Sequence, residues 1–177
     1  MTPEQLHLVL NHLPLIGVLA ATPALVVGLF LKKPAVARVG MLTVLVFAST
    51  TGLVMGTGEE AEERYESGAR MGVLDAESMA WLHEHDERAH LAGKIGYGLI
   101  ALSAVGLGLS LLKPRTTKWS AAVVLAAAAV STAGMAWTAE AAGKIRRPEW
   151  RGETSLPFKL PVLTDHDGDG QPDAESP

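Results

Sequence analysis

The sequence predicts an all-α membrane protein, an up-down bundle of four transmembrane helices. Its 177 residues are 48% hydrophobic, and the mean hydropathy is positive, at +0.22. Four long windows also contain no Lys, Arg, Asp or Glu: residues 6–31, 39–58, 95–112 and 119–139. Each window is near the ~20 apolar residues that a helix needs to cross a bilayer, and the backbone polar groups of such a segment must be satisfied within it. We therefore expect helices at about 5–31, 38–66, 76–112 and 118–143, which make residues 1–145 one four-helix bundle.

The four elements follow one another with recognisable boundaries. The N-terminal segment MTPEQLHLVL lacks the basic stretch of a secretory signal, so the first helix is expected to be retained. The second helix continues past its apolar part into the acidic stretch 59–66. Asp75 is a good N-cap for the third helix, and neither Pro nor Gly interrupts the chain from there to Gly93. The second and third helices therefore extend beyond the bilayer as a short helical hairpin, and the fourth helix follows the loop 113–118.

Charged residues are divided unequally between the two sides of the membrane. The short loops 32–38 and 113–118 contain six Lys or Arg and no acidic residue. All 19 Asp and Glu therefore fall on the side of the termini. By the positive-inside rule the two short loops face the cytoplasm. Both termini and the helical hairpin are then periplasmic, in a multi-pass protein of the inner (cytoplasmic) membrane.

An internal repeat divides the predicted bundle into two similar hairpins. The segment Gly28–Pro34 (GLFLKKP) matches Gly108–Pro114 (GLSLLKP), and Thr57–Ala61 (TGEEA) matches Thr138–Ala142 (TAEAA). Repeats that run in the same direction imply a pseudo-two-fold axis along the membrane normal. Helices 1 and 3 are then expected to occupy equivalent places.

Composition excludes several classes of function. The chain contains no Cys, which removes disulfides, thiolate catalysis, iron–sulfur clusters and covalent haem attachment. The net charge of −4 and the absence of a basic patch with interleaved aromatic residues argue against nucleic acid as a partner. Any bound metal must therefore be held by His or by oxygen ligands.

Ionisable residues at the periplasmic ends of the helices are the candidates for function, because such groups near the hydrocarbon usually face the bundle interior or water. Helix 3 carries a stripe of residues spaced four, three, four and three apart: His83, Glu87, His90, Lys94 and Tyr97. His85 lies off this stripe and is expected to be a solvated rim residue. In helix 1, His12 lies deeper than His7, and the repeat puts it near the depth of His90.

The first interpretation of this cluster is a non-covalent b-type haem. His12 and His90 would then be the axial ligands, projecting from helices 1 and 3 across the bundle. Arg88 and Lys94, together with the Arg pair 146–147, are positioned to meet the propionates. Such a subunit would transfer electrons near the periplasmic face.

Two alternatives remain open. Glu87 and His90 have the Glu-x-x-His spacing of metal-binding bundles, and with His12, Glu59 and Glu140 they would make a non-haem site for iron, manganese or zinc. The other alternative is a polar network that orients helix ends in a non-catalytic accessory or structural subunit of a larger complex.

The C-terminal segment 146–177 is predicted to be an extended periplasmic tail. Residues 165–173 (DHDGDGQPD) resemble the calcium loop of thrombospondin type 3 repeats. Carried over residue by residue, the carboxylate ligands would be Asp165, Asp167, Asp169 and Asp173. Acidic oxygens at alternating positions suit the coordination that calcium prefers.

The start of helix 1 (LNHLPLIG) and the end of helix 2 (TGEEA) resemble a family of bacterial four-helix membrane proteins with a His-Phe-Pro-Ile or similar element and a Thr-Gly-x-x-Ala element. Leu13 stands where the family usually has an aromatic residue. The resemblance covers helices 1 to 3, implies a bacterial inner-membrane protein and adds weight to His12. We expect an electron-transfer or accessory subunit that works with other membrane or periplasmic redox subunits, rather than a free-standing enzyme.

Overall fold

The computed structural model describes residues 1–68 and 70–151, which are helical and contain no strand. Four helical spans run up and down through one bundle. Span 1 consists of α1 (Pro3–Leu10) and α2 (His12–Phe30), span 2 of α3 (Pro34–Ala48) and α4 (Thr51–Glu66), span 3 of α5 (Ala76–Leu112), and span 4 of a 3₁₀ turn (Pro114–Thr116) and α6 (Thr117–Arg146). A second 3₁₀ turn follows at Pro148–Trp150. The predicted calcium loop 165–173 lies outside the described residues.

Each span is long and apolar enough to cross a bilayer, which confirms the predicted fold class. Many large apolar side chains are exposed on the outside of the bundle, among them Ile16, Phe30, Leu42, Val46, Leu53, Val105, Leu111 and Val130. A contiguous apolar surface of this kind is unfavourable in water, so it indicates contact with lipid. Spans 2 and 3 contain 33 and 37 residues, more than the ~20 that the hydrocarbon core requires. Their charged ends therefore extend beyond it.

The helix boundaries follow from local chemistry. Asp75 caps α5, as its sequence predicts, and its carboxylate accepts a hydrogen bond from the Ser78 N–H at 2.7 Å. Spans 1 and 2 are each interrupted once, which the apolar windows do not reveal. In span 1 the interruption falls at Asn11, just before Pro14, which has no N–H and crowds the preceding turn. In span 2 it falls at Thr50, whose hydroxyl donates to the Phe47 carbonyl at 2.7 Å.

The two halves of the bundle differ. The half near the connections 31–33 and 113–116, called the basic end, contains a closed core of Leu25, Met41, Val44, Leu99 and Val124. There α2 and α3 approach closely, because a Cβ on Gly28 would lie 2.4 Å from the Ala37 nitrogen. Arg38 also donates to the Ser110 carbonyl at 2.6 Å, which caps the last turn of α5. The other half, near the N-terminus and the connection 67–75, is called the acidic end and is open.

Candidate functional site

The acidic end contains an open-sided cavity of about 480 Å³, a volume in the range of small-molecule and cofactor sites. All four spans contribute to its wall, through α1, α4, the first half of α5 and the last half of α6. Small residues make the room: Ala89, Ala92, Gly93 and Gly96 line the cavity from successive turns of α5. The structure thus has a cavity, open to one side, at the depth where the sequence predicts a site.

Two half-buried histidines line this cavity, one from each hairpin. The His7 Nδ1 lies 3.1 Å from the Val54 carbonyl oxygen, and the His85 Nδ1 lies 3.1 Å from the Thr138 carbonyl oxygen. In both hairpins, therefore, a histidine of the first helix bonds the backbone of the second. A carbonyl oxygen can only accept, so each Nδ1 carries the proton and donates it. Each Nε2 then carries a lone pair, and it has no hydrogen-bond partner among residues 1–68 and 70–151.

His85 differs from its sequence expectation. It is half-buried against span 4 rather than solvated, so that expectation is wrong. Burial lowers the pKa of His85, although the hydrogen bond to the Thr138 carbonyl and the negative charge of Asp86 oppose this effect. The lowered pKa favours the neutral ring, which is the form in which imidazole binds a metal.

The predicted stripe on helix 3 shares one face of α5, but that face is exposed: His83, Glu87, His90, Lys94 and Tyr97 all lie on the outside. The His90 Nδ1 lies 3.1 Å from the Asp86 carbonyl oxygen on its own helix and 3.2 Å from the Asp86 carboxylate. His90 does not line the cavity.

His12 lines the mouth of the cavity but is exposed. Its Nδ1 lies 3.0 Å from the Leu8 carbonyl oxygen on the same span. The structure therefore does not bring His12 and His90 into one cavity, and their assignment as ligands stays a prediction.

The remaining predicted site residues are mostly engaged elsewhere. Glu140 receives hydrogen bonds from Lys144 at 2.8 Å and from Arg88 at 3.2 Å. Arg88 also donates to Glu84 at 2.6 Å and stacks 4.6 Å from the centre of the Trp137 ring. Glu59 lines the cavity, and its carboxylate lies 4.0 Å from the His90 Nε2.

Two buried oxygen atoms in the cavity wall have no partner among the described residues. They are the Asn11 Oδ1 and the Glu4 Oε2. The other carboxylate oxygen of Glu4 accepts a hydrogen bond from Arg64 at 2.9 Å. Because an unpaired buried acceptor costs free energy, water or a bound molecule is expected to meet these two atoms.

Carboxylates also gather where α4 faces α5, beyond the uncharged part of either span. Burial raises the pKa of Glu62 to about 7, and the negative charges of Asp86 and Glu66 add to the effect. His83 lies beside Glu62 and Glu66. This group belongs to the wall of the cavity through Glu62 and Asp86.

Comparisons with protein-family models, curated proteins and solved structures found no match for this chain. A fold alone does not determine a function, which must therefore be argued from the site.

The positions of His7 and His85 on the inward face of their helices could have been predicted from the spacing of small and apolar residues. Buried residues of span 1 recur every three or four positions, at Pro14, Val18, Ala21, Leu25 and Gly28, and His7 and Asn11 continue that series outward. On α5 the buried series Gly93, Gly96, Ser103, Gly106 and Ser110 leads back through Ala89 to His85. Small residues at this spacing mark the face that packs against other helices.

Proposed function

We propose that this protein is an integral-membrane subunit that holds a b-type haem in the cavity of the acidic end and takes part in electron transfer. The observation that supports this most strongly is the pair His7 and His85. Each lines the same cavity, and each donates its Nδ1–H to a backbone carbonyl. Metal-bound imidazoles are oriented in this way, because the hydrogen bond fixes the tautomer and leaves Nε2 for the metal.

The lining of the cavity fits such a group. Its walls include Gly93 and Gly96 of α5, and Met55 and Met135 add apolar contact. Arg146 also lines the cavity and has the charge to meet a propionate, whereas Arg88 is occupied by Glu84 and Glu140. When bound, a haem accepts and gives up single electrons at a potential that its axial ligands and burial set.

The chain's own residues have three tasks in this proposal. His7 and His85 hold the group from the two hairpins, and the carbonyls of Val54 and Thr138 keep their rings in orientation. The apolar part of the wall would limit the access of water to the group. The opening at the acidic end gives access to a redox partner on the periplasmic side, which fits the bacterial inner-membrane location implied by the sequence.

The non-haem site predicted from the Glu-x-x-His spacing has less support at its own residues. Glu87 is exposed, and the carboxylate of Glu140 is neutralised by Lys144 and Arg88. The accessory-subunit alternative needs no ligand. It gives no role to the two Nε2 atoms and the two wall oxygens that have no partner within the described ranges of the chain.

The test is an absorption spectrum of the purified full chain, expressed in a haem-producing host, before and after dithionite. We expect sharp reduced bands of b type. His7→Ala and His85→Ala should each remove most of the haem, whereas His12→Ala and His90→Ala should keep it.

Three outcomes would contradict the proposal in different ways. Loss of haem in His12→Ala and His90→Ala alone would restore the ligands predicted from sequence. A colourless protein whose stoichiometric iron, manganese or zinc is lost in His12→Ala or His90→Ala would favour the non-haem site predicted from sequence. A colourless protein without metal would leave the accessory role. Circular dichroism of every variant checks that the helices are intact.

A further inference from the structure

A second group of ligand atoms lies between α4 and α5, outside the histidine pair of the cavity. Glu62 and Glu66 stand one turn apart on α4, and His83 faces them from α5. The His83 Nδ1 lies 3.8 Å from the Glu62 Oε1, and its Nε2 lies 3.4 Å from the Glu66 Oε1. One ligand atom from each residue lies within 4.8 Å of the others. Ligands bonded to one zinc ion at about 2.0–2.2 Å are roughly 3–4 Å apart, so small side-chain rotations would close the site.

These contacts are not well-formed hydrogen bonds. Within residues 1–68 and 70–151, the His83 ring makes no hydrogen bond of acceptable geometry, although both of its nitrogens lie beside carboxylates. By contrast, the other exposed histidines of the acidic end, His12 and His90, each bond a backbone carbonyl at 3.0–3.1 Å. Among the described residues, a ring nitrogen of His83 is therefore available as a ligand beside the two carboxylates.

Among the described residues, this group is not neutralised by a basic side chain. Elsewhere at the acidic end, Glu4 is paired with Arg64 and Glu140 with Lys144. In the described part of the chain, no Lys or Arg pairs with Glu62 or Glu66, and Asp86 lies beside Glu62 and shares a hydrogen bond with it. The carboxylate oxygens of Glu62 and Glu66 are therefore not occupied by a basic side chain and can serve as ligands.

We propose that Glu62, Glu66 and His83 bind a divalent transition-metal ion that joins α4 to α5. The imidazole favours zinc, iron or manganese over calcium and magnesium, which prefer oxygen ligands alone. Two carboxylates and one histidine leave a fourth position for water. Because Glu62 also lines the cavity, the bound ion would hold one wall of the cavity in place, independently of any haem.

The experiment uses the full chain, purified in detergent, stripped with a chelator and titrated with Zn²⁺ by calorimetry, with Ca²⁺ as the comparison ion. The protein contains no Cys, so thiolates contribute no background. We expect His83→Ala and Glu66→Gln each to weaken one zinc site by about tenfold or more. Both side chains are partly exposed, 54% and 39%, so neither change should prevent folding.

The matched control is His90→Ala. His90 is also exposed on α5 and also lies beside two carboxylates, at 3.2 Å and 4.0 Å, but it does not belong to the three-residue group. It should bind zinc as the unaltered chain does, and zinc should raise the melting temperature of both but not that of His83→Ala. The proposal is overturned if His83→Ala binds zinc as well as the unaltered chain does. It is also overturned if the unaltered chain binds no zinc, or if only His90→Ala loses zinc binding.

Discussion

Gly58 supports the ring of His7 and gives a residue-scale test of the cavity. A Cβ added at Gly58 would lie 3.0 Å from the His7 Cε1, which is closer than ordinary packing allows. We expect Gly58→Ala to displace the ring and to weaken its hydrogen bond to Val54. In the proposed function this change shifts the reduced absorption bands or lowers the haem content, and thermal unfolding in detergent measures its structural effect.

Gly56 provides the matched control for this change. It lies in the same helix, and a Cβ there would meet nothing within 4 Å. Gly56→Ala should therefore give the usual gain of about 0.5–1 kcal/mol for removing a helical glycine, whereas Gly58→Ala should not. An equal gain for both would mean that the His7 ring is not held against α4.

At this scale the sequence predicts which residues share a face but not which face turns inward. The spacing of His83, His90 and Tyr97 on α5 is confirmed as one stripe, but the stripe is exposed. Rotation of a helix about its axis is decided by packing, and here the small residues Gly93 and Gly96 are buried. The sequence prediction chose the charged face of α5 as the inward face, because ionisable groups near lipid usually point inward.

Among the helices, the close approach of α2 and α3 depends on Gly28. A Cβ at this position would lie 2.4 Å from the backbone nitrogen of Ala37, and a backbone atom cannot move aside without moving α3. We expect Gly28→Ala to cost about 1–3 kcal/mol, as overpacking does. The free energy of unfolding in mixed detergent and denaturant measures this loss.

Gly108 is the control, because the predicted repeat aligns it with Gly28. A Cβ there would meet nothing within 4 Å, so Gly108→Ala should be neutral or stabilising. If both substitutions destabilise the protein equally, the two hairpins share the same helix packing as well as a similar sequence. The present geometry favours a repeat of hairpins whose contacts have diverged.

The helices themselves were predictable because their cause is local. Uncharged windows of about twenty residues allow only a helix in lipid, and caps such as Asp75 are visible in the sequence. The interruption at Asn11 was not predicted, although Pro14 is a visible cause of it. A proline in the first turn of a helix is common, and only the neighbouring spans decide whether the chain continues straight through it.

Considered as a whole, the molecule combines a closed half with an open half. Small and branched side chains fill the basic end, whereas α4 and α5 leave a cavity at the acidic end. Ion pairs between carboxylates and basic side chains, such as Glu4–Arg64 and Glu84–Arg88, lie at the acidic end. Both proposed sites therefore face one side of the membrane, and the side they face determines the compartment they serve.

Single cysteines test that orientation directly, because the chain has none of its own. Glu60 is exposed at the acidic end and Arg115 is exposed in the turn at the basic end. The positive-inside rule predicts that Glu60→Cys reacts with a membrane-impermeant thiol reagent in intact cells, and that Arg115→Cys reacts only after the membrane is permeabilised. The reverse labelling pattern would mean that the protein has the opposite orientation in the membrane, with both sites open to the cytoplasm. A periplasmic redox partner would then be excluded, but the proposed ligands of both sites would be the same. Labelling therefore tests which compartment the partner occupies, independently of what the sites bind.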